Sequence, residues 1–531
     1  MNCNPRRALL VASLLMAGAG GCTDTTELPT STITDVTYFD DPSSYRAFLA
    51  KIYAGLATSG QRGPAGDGDI EGIDEGFSQY LRLYWKMQEL PSDEAVIAWG
   101  DVGIPEMNTQ QWATSNPFVV AMYYRVAFQV SMANEFLRQT TEASLAERNV
   151  SPELAADIQI FRAEARFLRA LSYWHGIDLF GNIPLVTEED PIGGAMPPLQ
   201  STRQEIFDFL VTELTDIQTG LLPSAGPATY GRATREAAAM LLAKLYLNAG
   251  VYTGTPQYAQ ALTAIQQVIA GPFTLDPSYR HLFQADNHTS PEIIFTIVQD
   301  GKRTQSFGGT TFLVHASCGG SMVALDQGVG GCWFGLRLKP QAYRLLVPEN
   351  PLISPDPRGS FLFTTDQTVE VASISNFNDG VAAPKFTNKT STGANGSDLE
   401  FPDTDFPMFR LGDAYLIYAE AHLREGGGDG AQALAYVNAL RGRASGDASH
   451  NITDGELSLE FILDERGREL LWEAHRRTDL VRFGEFTGGD YLWAWKGGVQ
   501  AGRATARHLD LYPLPASELT TNPNLTQNPG Y

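Results

Sequence analysis

The stretch TREAAAMLLAKLYLNAGVYTGTPQYAQALTAIQQVIAGP, residues 234 to 272, decides the architecture. From Thr234 to about Ala249 the apolar positions Ala238, Leu241, Leu242, Leu245 and Ala249 fall on one helical face. Gly250, Gly254 and Pro256 then interrupt the pattern, and Tyr258, Ala261, Leu262, Ile265 and Ile269 make a second stripe that stops at Gly271-Pro272. Two amphipathic helices joined by a short turn form an antiparallel pair about the size of one tetratricopeptide unit. Ala243, Ala249 and Ala261 are small enough to let the pair approach closely. A similar pair follows at Leu411 to Leu423 and Ala431 to Arg441, divided by Gly426-Gly427-Gly428. Neither pair can bury its apolar face alone, so the spacing predicts a mainly α fold: a tetratricopeptide-like helical-repeat superhelix with insertions between its units.

Working outward, the same signals recur upstream. Ser151-Pro152-Glu153 has a capping hydroxyl, a proline for the first turn and an acid at the positive end of the dipole. Phe161, Ala165, Leu168 and Leu171 continue that helix until Gly181-Asn182. Thr202 and Glu205 form a capping box ahead of Ile206, Phe209, Leu210 and Leu214. Residues 45–284 therefore read as an N-terminal helical region and 406–531 as a C-terminal helical repeat with a terminal motif. Residues 285–405 differ. They are rich in Gly, Pro, Asn, Thr and Ser with short β-type runs such as Ile293 to Val298, the pattern of an irregular insertion on a rigid frame, where binding loops concentrate.

The N-terminus carries Arg6-Arg7, an apolar run from Ala8 to Gly18, then Ala19-Gly20-Gly21-Cys22. This resembles a lipoprotein signal, residues 1–21, too short to span a bilayer, with Cys22 as the lipidated residue and 22–44 as an acylated tether. No later run of about 18 apolar residues offers another membrane segment. The 531-residue chain carries a net charge of −23, which repels phosphate backbones and argues against nucleic acid as partner. Of four cysteines, Cys3 leaves with the signal and Cys22 is acylated. Cys318 and Cys332 remain, able to pair in an oxidising compartment or to join His315 around a metal.

Enzymatic motifs are missing: there is no Gly-x-Ser-x-Gly, no His-Glu-x-x-His and no P-loop, and the eight histidines lack ligand spacing. A glycoside hydrolase needs two carboxylates about 5 to 9 Å apart, which 61 acids neither establish nor exclude. Asp67-Gly68-Asp69-Ile70-Glu71-Gly72 starts like a calcium loop, but Ser78 stands where its glutamate belongs. The expectation is therefore no catalytic residue, no metal and no cofactor. A peptide-binding helical scaffold is the other competing reading.

Four ordered stretches stand out: Ala163 to Ala170 with Leu179 to Val186; Arg410 to Ala421; Asp464 to Leu470 with Glu473 and Arg476 to Gly484; and Leu511 to Pro515 with Glu518-Leu519 and Asn522 to Tyr531. Together they resemble the SusD/RagB family of nutrient-binding outer-membrane lipoproteins. Residues 45 to 140 match only in outline, at Trp112, Tyr123-Tyr124 and Ala133-Asn134. The resemblance implies four tetratricopeptide-like pairs. It also implies non-catalytic capture of oligosaccharides, or of peptides and other nutrients, and a place on a TonB-dependent, SusC-like transporter in the outer membrane, lipid-anchored and facing the exterior. Most charged residues in these motifs (Glu164, Arg166, Arg169, Asp413, Glu420, Glu465, Arg468, Arg482) read as ion pairs locking the frame, with pairs expected at Asp464/Arg468 and Glu473/Arg477. Trp174 and Trp472 read as helical core residues. Sugar capture needs flat aromatic faces and planar polar groups. In the family the first of these loops tends to supply a binding aromatic, which favours Trp99 in Ala98-Trp99-Gly100-Asp101, with Asp101 and Asn108 beside it. Trp333 in the insertion is the second candidate, with Gln327, Asp326 and Tyr343 as further contacts; loop packing is the competing role for both tryptophans. Trp493 and Trp495 are candidates for a transporter contact or a second platform.

Overall fold

The computed structural model describes residues 35–64, 68–193 and 196–531. The signal segment, Cys22, most of the tether and Asp67 lie outside the described residues. The chain divides into a unit ending at Ser44 and a unit from Tyr45 to Tyr531. In the first, the helix Asp35–Tyr38 sets Tyr38 edge-on to Phe39.

In the second unit, long helices stack in chain order. Pro117–Gln139 packs on Pro152–Phe180, which packs on Arg203–Asp216, then Arg235–Leu247, then Tyr258–Ile269. Their starts are where the capping signals place them. The Ser151 hydroxyl accepts from the Leu154 amide, Thr202 and Glu205 complete a capping box, and the Thr234 hydroxyl accepts from the Ala237 amide. Leu241, Leu245, Ala261 and Ile265 are fully buried between the helices of the decisive pair. Each large apolar side chain so buried contributes roughly 1.5–3 kcal/mol.

The chain leaves this stack after Ile269 and returns at Leu411. The helix Leu411–Ala421 nevertheless packs directly on Tyr258–Ile269 and then on Gly430–Ser445, so the second pair continues the first. A two-stranded antiparallel ribbon, Ile293–Ile297 with Phe406–Arg410, closes the neck of the excursion. Within it lie short helices, among them Gly309–Ala316 and Pro340–Leu346, and the strand Leu336–Leu338. No helix among the described residues is long and apolar enough to cross a membrane.

The C-terminal helix departs from expectation. It ends at Glu469 and restarts at Arg476, and the turn between holds Trp472 and Ala474 in left-handed backbone, at φ 61° and 62°. Such conformations cost about 1–3 kcal/mol each. They are offset by burial of the Trp472 indole edge-on to Trp85, and by two carboxylates. Glu94 accepts from the Trp472 amide at 2.9 Å and Glu89 from the His475 amide at 3.2 Å. Trp472 is therefore a core residue in a turn, whereas Trp174 sits buried within its helix.

The break also separates Glu473 from Arg477. Glu473 instead pairs with Arg410 at 2.6 Å and Lys385 at 2.7 Å, and Arg477 with Asp178 at 2.9 Å. Asp464 and Arg468, within the unbroken segment, do pair at 3.4 Å, though the Asp464 side chain is 45% exposed and the bond is weak. The remaining motif charges lock the frame as expected: Glu164 holds Arg232, Arg169 binds Glu188 and Glu213, Asp413 binds Lys244 and Arg466, and Glu420 binds Arg482. Asp69 of the acidic loop is engaged by Lys51 and Arg125. Trp493 is fully buried and serves packing, and the half-buried Trp495 donates its indole N–H to the Val371 carbonyl.

Candidate ligand-binding site

The strand Ala95–Ile97 is carried by the helix Tyr80–Glu89 and pairs antiparallel with Leu336–Leu338, Ala95 facing Leu338 and Ile97 facing Leu336. The ladder runs on for one bond, from the Ala98 amide to the Gly335 carbonyl at 3.0 Å. An N-terminal strand and a strand of the insertion thus deliver Trp99 and Trp333 to the same place. The Trp99 indole N–H donates to the Trp333 carbonyl at 2.9 Å, and the two rings lie 6.2 Å apart at 49°. Both are half-buried, so each keeps part of its surface in solvent. A Cβ on Gly335 would come within 2.9 Å of the Trp99 ring, so only glycine lets the indole settle there.

The platform rests on a firm base. Cys318 and Cys332 are joined in a disulfide. The Trp333 amide donates to His315, Phe334 to Cys318 and Gly335 to Ala316. His315 stacks on the Trp333 ring at 4.6 Å, and its two nitrogens face the carbonyls of Gly331 at 2.7 Å and Glu400 at 2.8 Å. The possible metal set of His315 and two thiols is thereby spent: the thiols bond each other and the imidazole pins two loops. Beneath Trp99, the Arg82 guanidinium lies 5.6 Å from its ring and 4.8 Å from that of Phe312, donating to the Gly76 and Phe307 carbonyls. Burial lowers the Arg82 pKa to about 10 against the opposing pull of Asp101 and Asp74. Lys86, one turn on, sits 4.2 Å from the Phe118 ring and 5.4 Å from Phe312, and burial holds its pKa well below the ordinary lysine value. The Arg82 guanidinium over aromatic rings is favourable through the ring quadrupoles.

The other expected residues divide. Asp101 is exposed two residues past Trp99, and its carboxylate makes no hydrogen bond among the described residues. Gln327 is half-buried at the end of a short 3-10 helix inside the disulfide loop; its carbonyl accepts from Asn388, leaving its side-chain amide unused, and Asp326 beside it is exposed. Asn108 does not face a ligand. It is buried, and its amide takes both the N–H and the carbonyl of Ile97, at 3.1 and 2.9 Å, holding the strand end that leads to Trp99. Tyr343 lies half-buried on the helix Pro340–Leu346 and makes no ring contact with Trp99 or Trp333. Arg82 and Phe334 were not signalled: Arg82 reads as one more helical cation, and Phe334 as an apolar neighbour of Trp333.

Two half-buried indoles set at an angle, with the exposed Asp101 carboxylate two residues from one of them, suit a flat-faced polyhydroxylated ligand, which needs aromatic stacking and hydroxyl partners. A tetratricopeptide-like helical frame carrying such a platform, one indole on an N-terminal strand end and one on the insertion, defines a ligand-binding protein of the helical-repeat class. A family model described as the SusD family matches residues 361–531. Starch-binding protein SusD of Bacteroides thetaiotaomicron is 34% identical over 528 residues, spanning 91% of each chain. The chain belongs to the SusD family. Among solved structures, a SusD superfamily protein from Bacteroides thetaiotaomicron superposes with a TM-score of 0.71 at 21% identity, over 92% of this chain and 99% of that one. Surface glycan-binding protein A from the same organism, in complex with laminarihexaose, superposes with a TM-score of 0.68 at 18% identity, over 91% and 98%.

Proposed function

We propose that this chain is a cell-surface glycan-binding lipoprotein that captures oligosaccharides without cleaving them and delivers them to a TonB-dependent, SusC-like transporter of the outer membrane. The observation that carries the reading is the Trp99–Trp333 pair, two partly open indoles brought from distant parts of the chain and braced against each other. The 34% identity to a protein named for starch binding, and the likeness in fold to a chain solved with laminarihexaose, support glucans as the ligand class. Trp99 and Trp333 stack on sugar rings, and Asp101 accepts from hydroxyls. Gln327 supplies a planar amide at the edge, and Asn108 acts one step back by fixing the strand end. Tyr343 is not assigned a ligand contact. Acylation at Cys22 would hold the protein at the membrane, facing the exterior, since two or three chains suffice without a transmembrane helix.

The test is calorimetry of the full chain, purified in detergent, against soluble starch, laminarin and other polysaccharides. Release of reducing ends is followed in parallel. Binding to a glucan with no new reducing ends, and at least tenfold weaker in Trp99→Ala and in Trp333→Ala, is expected. New reducing ends would show an enzyme. Binding that survives both substitutions would place the site elsewhere. Binding to peptides but no glycan would leave the fold intact and change the nutrient.

A further inference from the structure

The C-terminal motif folds back against the first long helices and bounds a cavity of about 460 Å³ there. That volume falls within the roughly 300 to 1,000 Å³ of small-molecule sites. The cavity shares no lining residue with the Trp99–Trp333 platform. Val126, Val130 and Ile183 give it an apolar floor, and the rings of Tyr123, Tyr124 and Tyr173 wall it. Those walls are fixed in place. Tyr123 stands at 77° to Tyr124, 6.1 Å away, and at 85° to Phe180, 5.4 Å away. The Tyr173 hydroxyl donates to the Val186 carbonyl and accepts from the Val186 amide, both at 2.7 Å. Pro197 and Pro198 complete the lining, their carbonyls held by the side-chain amides of Asn524 at 2.8 Å and Asn522 at 2.9 Å. A pocket pinned in this way is formed before its ligand arrives.

One lining residue carries a charge, Glu518. It is half-buried in the first turn of the short helix Ala516–Thr521, and its carboxylate forms no ion pair among the described residues. The carboxylates of the frame are treated differently: Glu164, Asp178, Asp413 and Glu420 each hold a cation. Glu518 bears on the aromatic wall instead. Burial first, and this carboxylate after it, raise the pKa of the Tyr124 hydroxyl and of the Tyr123 hydroxyl above the ordinary tyrosine value. Ring faces and a carboxylate attract the same partner. The negative face of a tyrosine draws a cation, and a carboxylate binds an ammonium through charge-assisted hydrogen bonds. The apolar floor suits a hydrocarbon body, whereas a sugar would set hydroxyls against it that find no partner there. An anion would be repelled. We propose that this cavity is a second ligand site, for a small molecule that carries an ammonium group on an apolar or aromatic body. The ammonium lies against Glu518 and Tyr124, and the body rests on Val126, Val130 and Ile183. The proposal does not depend on the glycan-binding reading.

The experiment titrates the full chain, in one non-ionic polyoxyethylene detergent throughout, with phenethylamine and with 2-phenylethanol at pH 7. The two probes share shape and ring and differ in charge, since an alkylamine is protonated at that pH. Wild type, Glu518→Gln and Tyr124→Leu are compared, each with its thermal melt. Wild type is expected to bind phenethylamine at least fivefold more tightly than 2-phenylethanol. Glu518→Gln is expected to bring the two probes within twofold of each other while still binding the alcohol, which shows the cavity intact. Tyr124→Leu is expected to weaken phenethylamine at least threefold and the alcohol less. Saturating maltohexaose is expected to leave the amine affinity unchanged. Equal affinities for the two probes in wild type, or a preference for the amine that persists in Glu518→Gln, would overturn the proposal. So would displacement of the amine by maltohexaose, or no saturable phenethylamine binding up to about 10 mM.

Discussion

The indole N–H of Trp99 donates to the main-chain carbonyl of Trp333 across 2.9 Å, joining residues 234 positions apart. The bond links a strand end of the N-terminal helical region to a loop of the insertion, and it uses the polar edge of Trp99, which stays half-buried. Separating the two roles is the first prediction. Trp99→Phe keeps an aromatic face and loses the bond, worth about 0.5–1.5 kcal/mol. It should weaken glucan affinity by a few-fold only, against at least tenfold for Trp99→Ala. Equal losses in calorimetry would show that the hydrogen bond, not the ring, carries the effect.

The disulfide closes a loop with a sequence separation of 14 between Cys318 and Cys332, directly before Trp333. Crosslinks over loops of about 15 residues stabilise by about 3 kcal/mol in the chain-entropy account. The double variant Cys318→Ala/Cys332→Ala should unfold at lower urea and bind glucan more weakly, because Trp333 and Phe334 lose their anchor. Urea midpoints and affinities that both match wild type would remove the disulfide from the account of the site.

Arg410 is fully buried and meets Glu292 at 2.9 Å, Glu469 at 2.7 Å and Glu473 at 2.6 Å. It stands at the junction where the insertion rejoins the helical stack. Removing one partner of such a cluster leaves uncompensated buried charge and typically costs 3–5 kcal/mol, roughly, even with neighbours present. Arg410→Met should therefore lower stability by about that amount in urea denaturation. A loss under about 1 kcal/mol would mean that Arg358, Arg443 and Lys385 neutralise the three glutamates without it.

Glu89 is buried beside Glu94, and burial raises its pKa to about 7 from an ordinary 4.5. The folded chain therefore holds a proton that the unfolded chain releases between those two values. Stability from this group is full below about pH 4.5 and is lost as pH rises through about 7. Glu89→Gln mimics the protonated form and can still accept from the His475 amide. The stability of the variant relative to wild type should rise from pH 5 to pH 8 in paired urea melts. A constant difference across that range would show that Glu89 does not titrate as described.

Much of the fold was legible in the residues themselves. The Ser151, Thr202 and Thr234 caps and the stripes at 238–249 and 258–269 are local signals, decided within a turn or two, and the structure follows them closely. The break after Glu469 was not legible, because its causes, Glu89, Glu94 and Trp85, lie almost 400 residues earlier in the chain. The same distance misled the reading of Glu473 with Arg477, and of Asn108, whose amide is consumed by Ile97. The tryptophans of the site could be picked out as loop aromatics, but Arg82, His315 and Phe334 carry no local mark of their place.

The sequence by itself determined that this protein is a helical repeat, where its helices begin, where the irregular insertion lies and to which family it belongs. Those properties rest on periodicity, capping and motif order, each encoded by neighbouring residues. The tertiary structure alone decided that the Leu411–Ala421 pair docks on Tyr258–Ile269 across the excursion, and that Trp99 meets Trp333. These are contacts between distant segments, set by burial and strand pairing that no local stretch encodes.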